Sequence, residues 1–443
     1  MKRIFAILTV ALFAATLAIP AFAKGTNQQI KTAQKGATNS SLVAIDPGLR
    51  LAFVARQQLG DVTGDGLVDV ISLKGNPNKK DLRKTTIDLG HPDKPIGVAV
   101  DVVNHVLLVA SGDNGGDGKL DVIQEKNFQP FPGSPFAYPA GSDTGKVGQL
   151  TFDPIRKKVI VATITTGSSS DHAANATTGF AVFDELTDMF GPVIPAASSD
   201  NFAFNAITNV VISPADFLDP PIDAVDIANN IGCTSDPADT NLMNQMDSDG
   251  AGFDPATNVV VVGDDNSHTA TVVNLNGSTF ANEGSPPCTL LEGGAAPNSV
   301  NITTSFDDPA GIAVNLKTHQ ALLEASGGAG VALAQLPKTP VTQIDSTTTF
   351  LINQSTLPND PNNSAAEIFG FPYSAAIDPK RNLGYGDSND TFLVQVSLKA
   401  LQKKPSGISN PLPSGNCKGT TTTLGCSNGG GVTFFPLSDT STE

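Results

Sequence analysis

The stretch LVAIDPGLRLAFVA, residues 42–55, decides the fold because variants of it return along the chain. In each copy an apolar run ends in an Asp or Asn anchor, the chain reverses, and a second apolar run follows. Subtracting the numbers of neighbouring anchors gives steps of 55, 52, 52, 49, 61 and 63 residues. A period of this length fits one four-stranded antiparallel sheet per unit. The anchors are Asp46, Asp101, Asp153, Asn205, Asp254, Asn315 and Asp378.

A third apolar run follows in the units, such as LVDVISL from Leu67 and TATVVNL from Thr269. Its alternating pattern indicates a strand with one face on each neighbouring sheet. With 42 Gly and 31 Pro the chain is rich in turns, and its apolar residues suit strands. We therefore predict an all-β protein, a seven-bladed β-propeller with four-stranded antiparallel blades, over residues 42–400. In the C-terminal tail, residues 401–443, GVTFFPL either pairs with an outer strand or completes the last blade.

The first 23 residues read as a cleaved signal peptide. Lys2 and Arg3 precede an apolar stretch, and Ala21-Phe22-Ala23 supplies the small residues of a cleavage site. A polar leader, residues 24–41, follows. We expect a secreted or periplasmic protein with no membrane span in the mature chain. Removing two positive charges takes the net charge from −16 to −18, which argues against nucleic acid as a partner.

The cysteine count suggests disulfides, because an exported chain with an even number of cysteines usually pairs them. Three pairings are open. In one of them, Cys233 pairs with Cys288 on either side of the fifth unit, and Cys417 pairs with Cys426 and closes a short loop in the tail. The four residues are Cys233, Cys288, Cys417 and Cys426.

The sharpest motif is GDVTGDGLVDVI, residues 60–71, which has the spacing of oxygen donors in a calcium-binding loop. Gly66 permits the sharp turn, and the fourth donor is a backbone carbonyl. The alternative is a metal-free Asp-Gly turn. The predicted Ca²⁺ ligands are Asp61, Thr63, Asp65, the Leu67 carbonyl and Asp69.

A weaker copy of this loop, DNGGDGKLDVI, occupies residues 113–123 of the next unit. Gly115 stands where the third-position donor would be, so one ligand is missing. The aligned carboxylates are Asp113, Asp117 and Asp121.

Acidic residues also precede several first strands, where they would ring one mouth of the central channel. If they converge, they could hold a divalent ion that polarises a lactone or ester carbonyl. The alternative is that they are solvated loop acids. This second set of candidate metal ligands is Asp93, Asp200, Asp249, Asp308 and Glu367.

The segment NFQPFPGSPFAYP, residues 127–139, is the best candidate for partner contact, because clustered exposed aromatic residues favour recognition. The alternative is that these rings cover one end of a blade. The residues are Phe128, Phe131, Phe136 and Tyr138.

The positions of the histidines do not indicate a catalytic site. His105 and His319 occupy the same turn slot in their units, where we expect exposed hairpin residues, and His91 could reach the channel mouth. No nucleophile motif or phosphate-binding glycine loop is present.

The repeat resembles those of the YVTN and NHL groups of β-propellers, through PIGVAVD from Pro95, PAGIAVN from Pro309 and the Asp-Pro turns. The Asp-rich loops are similar to the calcium loops of FG-GAP propellers. The resemblance implies the fold, and functions in these groups range from protein-binding scaffolds to lactone-opening enzymes. We predict a binding scaffold for a protein or a cell-surface glycan, with structural calcium. The alternative is a metal-dependent, lactonase-like hydrolase acting at the channel mouth.

Overall fold

The computed structural model describes most of the chain from residue 42 onward. Residues 1–41, and with them the predicted signal peptide and leader, lie outside the described residues. The described ranges are 42–60, 66–75, 82–112, 118–143, 150–165, 179–196, 202–214, 222–235, 250–264, 267–276, 279–281, 289–291, 299–306, 308–309, 311–325, 330–344, 349–356, 375–388, 392–403 and 432–436.

The strands form seven sheets in chain order, each with an antiparallel blade at its centre, which confirms the predicted seven-bladed propeller. Blade 1 contains β1 (Val43–Asp46), β2 (Leu51–Gly60), β3 (Gly66–Ser72) and β4 (Arg83–Asp88). Blade 2 contains β5 (Lys94–Asp101), β6 (Val106–Gly112), β7 (Lys119–Gln124), β8 (Gln129–Pro130) and β9 (Phe136–Ala137). Blade 3 contains β10 (Ser142–Asp143), β11 (Leu150–Asp153), β12 (Lys158–Thr165), β13 (Gly179–Asp184), β14 (Met189–Phe190) and β15 (Ile194–Pro195). Blade 4 contains β16 (Ala203–Asn205), β17 (Val210–Pro214), β18 (Ile222–Asp226) and β19 (Ile231–Ser235).

The remaining blades follow the same plan, with two additions. Blade 5 contains β20 (Gly250–Asp254), β21 (Val259–Gly263), β22 (Thr269–Asn274) and, after the inserted β23 (Thr279–Ala281) and β24 (Thr289–Leu291), β25 (Ser299–Thr303). Blade 6 contains β26 (Gly311–Asn315), β27 (Gln320–Glu324), β28 (Gly330–Gln335) and β29 (Leu351–Thr356). Blade 7 contains β30 (Ala375–Asp378), β31 (Leu383–Ser388), β32 (Phe392–Ser397), the short helix α1 (Leu398–Lys403) and β33 (Val432–Pro436). The tail strand β33 pairs with β32, so it completes the last blade.

The core is divided among the junctions between blades. The inner strands are buried on both faces because each blade packs between two neighbours, and this explains their nearly continuous apolar sequences. The ring closes where Val43 and Ile45 of blade 1 pack with Ala376 and Tyr385 of blade 7. The burial of apolar surface at each junction therefore stabilises the closed ring.

The anchor of each unit shapes the turn between its first two strands. In blade 1 the Asp46 carboxylate accepts hydrogen bonds from the amides of Gly48, at 2.6 Å, and Leu49, at 2.8 Å. Four residues after the anchor, at Arg50, the backbone adopts the left-handed conformation, with φ of 59°. This Asx turn explains the Asp or Asn of the repeat.

One connection leaves its own blade. The hairpin of β23 and β24, inserted between the third and fourth strands of blade 5, pairs with the outer strand of blade 4. Thr234 of β19 lies opposite Thr289 of β24 in parallel register. Blade 4 is thereby extended by strands from its neighbour.

Candidate functional site

A ring of polar contacts links the blades on the face that carries the anchor turns. The residue four positions after each anchor has the left-handed conformation. Five junctions join an anchor directly to this residue of the next blade, and two use an Arg that bonds its own anchor and the next blade's carbonyl. Around the ring the contacts are Asp46–His105, Asp101–Lys157, Asp153–Arg156–Ala206, Asn205–Asn258, Asp254–His319, Asn315–Asn382 and Asp378–Arg381–Pro47.

His105 and His319 thus serve as links between blades, which sequence reasoning missed. Nδ1 of His105 lies 2.7 Å from the Asp46 carboxylate, and Nδ1 of His319 lies 2.7 Å from that of Asp254. The bond to Asp254 is the main cause that raises the pKa of His319. The signal was present in the sequence, because the residue four after every anchor is Asn, His, Lys or Arg.

A second carboxylate enters the junction between blades 1 and 2. Glu125 is only 2% exposed, and one ligand atom each of Asp46, His105 and Glu125 lies within 4.8 Å of the others. No donor among the described residues bonds the Glu125 carboxylate, so an ionised Glu125 would place a second negative charge beside Asp46 without a hydrogen-bond donor of its own. Burial first, then the charge of Asp46 and a proton shared with it, raise the pKa of Glu125 to about 9.

A groove of about 520 Å³ runs between the outer edges of blades 2 and 3. Its walls are β9 and β14, which are outermost strands, so one side of each backbone is not paired within its sheet. One charged residue, Asp188, contributes to an otherwise mainly apolar lining. The groove is lined by Pro135, Phe136, Ala137, Tyr138, Pro139, Asp188, Met189, Phe190, Gly191 and Pro192.

Two exposed large apolar side chains lie in or next to β14, one wall of this groove. Among the described residues, four large apolar side chains are exposed, and all belong to blades 2 and 3. Leu186 is 80% exposed and Met189 66%, and both lie in or next to β14. The other two are Val103 and Phe131. Such a concentration is typical of a surface that contacts another molecule.

The four predicted contact aromatics separate into different environments. Phe136 packs on Phe183, with 4.8 Å between ring centroids, and the buried Tyr138 meets Phe190 edge to face at 5.1 Å. These two rings therefore form the floor of the groove and part of the junction between blades 2 and 3.

The other two predicted aromatics lie outside the groove. Phe131 is 36% exposed, and the half-buried Phe128 packs at the junction of blades 1 and 2, with the Lys84 ammonium over its ring.

Two of the predicted calcium ligands, at the ninth loop position, are described with their side chains, and both have protein partners. The buried Asp69 accepts a hydrogen bond from the Thr86 hydroxyl at 2.6 Å and lies 3.8 Å from the Arg56 guanidinium. The Asp121 carboxylate lies 3.0 Å from Nε2 of His91.

Of the other calcium ligands, only Leu67 is described, in β3 opposite Asp88. The remaining calcium ligands, Asp61, Thr63, Asp65, Asp113 and Asp117, lie outside the described residues.

His91 is clamped between two acids at the start of blade 2. Its Nδ1 lies 3.2 Å from the Asp93 carboxylate, which also contacts the Lys119 ammonium. Burial would lower the pKa of His91, but the bond to Asp121 and the charges of Asp121 and Asp93 outweigh it and raise the pKa. Asp93, predicted at the channel mouth, is therefore held in an ion-pair network.

The other channel-mouth acids give no cluster among the described residues. Asp308 has the left-handed conformation, with φ of 56°, and its amide donates to the Ser267 carbonyl. Asp200, Asp249 and Glu367 lie outside the part of the chain that the structure describes.

Cys233 is buried in β19 and is not a free thiol. Cys288, Cys417 and Cys426 lie outside the described ranges, so the pairing stays a prediction.

One more buried acid has no predicted role. Glu324 ends β27 in blade 6 and is fully buried, and no described residue bonds its carboxylate. Burial raises its pKa to about 8.

Comparisons with known proteins support the fold but do not assign the chain to a family or a function. No family model matches the chain, and no curated protein matches it. A protein of unknown function from Desulfotomaculum acetoxidans has a similar structure, with a TM-score of 0.51 and 13% identity, over 88% of this chain and 100% of that one. Hydrazine synthase of Kuenenia stuttgartiensis matches 78% of this chain and 91% of its own, with 11% identity and a TM-score of 0.47.

The class of protein is thus a seven-bladed β-propeller, and this fold in general supports binding. Within the described residues no helix is long and apolar enough to cross a bilayer.

Proposed function

We propose that this chain is an exported binding scaffold that holds an extended apolar segment of a protein partner in the groove between blades 2 and 3. The observation that carries the proposal is a preformed aromatic groove whose wall strand β14 carries the exposed Met189 and follows the exposed Leu186. Exposed apolar side chains cost free energy in water, and a partner that covers them recovers it.

The walls of the groove favour an extended peptide. The outward sides of β9 and β14 offer backbone donors and acceptors to a strand laid beside them, and the proline and aromatic lining suits apolar or proline-rich side chains. The net charge of −16 and the presence of Asp188 favour a segment flanked by basic residues.

A cell-surface glycan is the second candidate partner. Aromatic rings in the groove are suited to stacking on a sugar, and this observation favours it. The mainly apolar lining supplies few hydrogen-bonding side chains, whereas sugar hydroxyls need several partners, so the peptide is preferred.

The lactonase-like alternative has less support. Asp93 is paired with His91 and Lys119, so its negative charge is already compensated. A hydrolase would need this carboxylate to leave its partners and join acids from other blades around an ion.

Export and structural calcium remain part of the proposal. The apolar N-terminal stretch with its small-residue cleavage pattern supports secretion or periplasmic location. The donor spacing of residues 60–71 supports a calcium ion, which would share Asp69 with Arg56 and Thr86.

Selection of peptides on the immobilised protein tests the groove. A random peptide library should yield apolar or proline-containing sequences with flanking basic residues. Met189→Glu places a charge beside Phe190 in the groove and should weaken the selected peptides at least about tenfold, since burying an unpaired charge is costly. Val103→Glu is the matched control, because Val103 is also exposed but lies outside the groove lining.

Peptides that bind the wild type and Met189→Glu equally would contradict the groove as the binding site. A library of glycans in place of peptides distinguishes the second candidate: binding of a glycan that Met189→Glu abolishes would replace the peptide by a sugar.

A further inference from the structure

We propose that Asp46, His105 and Glu125 form a divalent metal site at the junction of blades 1 and 2, with zinc as the best-fitting ion. One nitrogen and two carboxylate oxygens, all within 4.8 Å of one another, converge there. This donor set suits Zn²⁺, which binds imidazole nitrogen and carboxylate oxygen.

Comparison with the other blades shows that Glu125 is not needed for the junction. Its amide donates to the His105 carbonyl at 3.0 Å, and the equivalent residue in blade 6, Leu336, donates to the His319 carbonyl at 2.8 Å. At this equivalent position, five blades carry an apolar residue, and only blades 2 and 3 carry a glutamate. The seven residues are Leu73, Glu125, Glu185, Ile227, Leu275, Leu336 and Leu398.

Blade 6 is therefore a natural reference. It has the same imidazole–carboxylate contact of 2.7 Å between His319 and Asp254, and a buried Leu336 completes the packing. The histidine links the two blades there without a second acid. In blade 2 a buried carboxylate replaces the leucine, which is costly unless a positive charge compensates it.

Blade 3 shows how such a second acid is compensated within the chain. Its glutamate, Glu185, lies near Asp101, and the Lys157 ammonium sits 3.0 Å from the Asp101 carboxylate and lowers the charge cost of both acids. Blade 2 has His105 in place of this lysine. An imidazole can supply a metal ligand, which an ammonium group cannot.

The geometry requires only a local adjustment to accept the ion. Nδ1 of His105 lies 2.7 Å from Asp46 and 3.9 Å from Glu125, whereas ligand atoms around tetrahedral zinc lie about 3.4 Å apart for bonds of about 2.1 Å. The ion would replace the proton between His105 and Asp46. His105 is 44% exposed, so solvent can reach the remaining coordination positions.

Calorimetric titration of the full chain with ZnCl₂, in buffer with excess calcium, tests the site. The wild type should bind a zinc ion that Glu125→Leu loses, with affinity reduced at least about 100-fold, because the variant recreates the histidine and leucine of blade 6. His105→Asn should have the same effect, since Asn occupies this turn slot in blades 4, 5 and 7. His319→Asn is the matched control and should leave zinc binding unchanged.

Three results would overturn the proposal. Absence of zinc uptake by the wild type in the titration would leave a shared proton as the partner of the two acids. Glu125→Leu could bind zinc as tightly as the wild type, which would place the ion elsewhere. Equal losses in His319→Asn and His105→Asn would attribute the effect to a general weakening of the junctions.

Discussion

Replacing Glu324 by Gln should remove one source of pH dependence from the stability of the folded chain. The side chain is fully buried at the end of β27, and burial raises its pKa from 4.5 to about 8. The folded protein therefore keeps a proton on Glu324 at pH values where the unfolded chain has lost it. Gln has nearly the same shape as the protonated acid but does not titrate.

The sign and size of the effect follow from these two pKa values. The stability due to the neutral form is fully present below the unfolded value of 4.5 and is lost as the pH rises through about 8. Each pKa unit corresponds to about 1.4 kcal/mol, so the loss is at most about 5 kcal/mol. The Gln variant should not show this loss.

Urea unfolding of both proteins from about pH 5 to about pH 8 measures this pH-dependent loss of stability. The free energy of unfolding of Glu324→Gln, relative to wild type, should rise with pH by up to about 4 kcal/mol over this interval. Any constant cost of burying the amide cancels, because the slopes are compared. Asp88→Asn removes one exposed charge and should run parallel to the wild type. A parallel course for Glu324→Gln as well would refute the reasoning.

Three further predictions concern the turns, the calcium loops and the cysteines. Asp254→Ala removes the acceptor of His319 and of a turn amide, and should lower the free energy of unfolding by about 2–4 kcal/mol in urea melts. The control Asp226→Ala removes an Asx turn that has no inter-blade link, and should lower the free energy of unfolding by about 1 kcal/mol or less. Equal losses in the two variants would contradict the role of the links. Calcium at about 100 times its dissociation constant should stabilise the chain by about 2.7 kcal/mol, seen as a higher melting temperature that chelator reverses, and metal-free protein with an unchanged melting temperature would remove the calcium prediction. Non-reducing digestion should yield a peptide pair joining Cys233 to Cys288, because the residues that follow them are level in the parallel register of β19 and β24; a different pair would reject this pairing.

Most of the fold could be predicted because it depends on local patterns that recur. The anchors predicted the turns between first and second strands, since an Asx turn needs only residues two and three positions away. The third apolar runs coincide with strands such as β3 and β22. The number of blades followed from counting these units.

The candidate sites were harder to predict because they depend on contacts between blades. Asp46 and Glu125 are far apart in sequence, and only the ring geometry brings their carboxylates together. Tyr138 was predicted in a surface cluster, but β9 pairs with β7 and carries it into the junction with blade 3. Propensity and composition contain no information on which face of a short outer strand meets the next blade.

The β23–β24 hairpin, which is inserted in blade 5 and pairs with blade 4, has a consequence for redesign of the chain. Circular permutants are usually cut between units, because each unit is expected to fold as a separate module. A cut between blades 4 and 5 would separate β19 in sequence from the hairpin that covers it, and leave the exposed backbone of that edge open to intermolecular pairing. New termini should therefore be placed at another junction, and blades 4 and 5 should be transplanted together as one cooperative element.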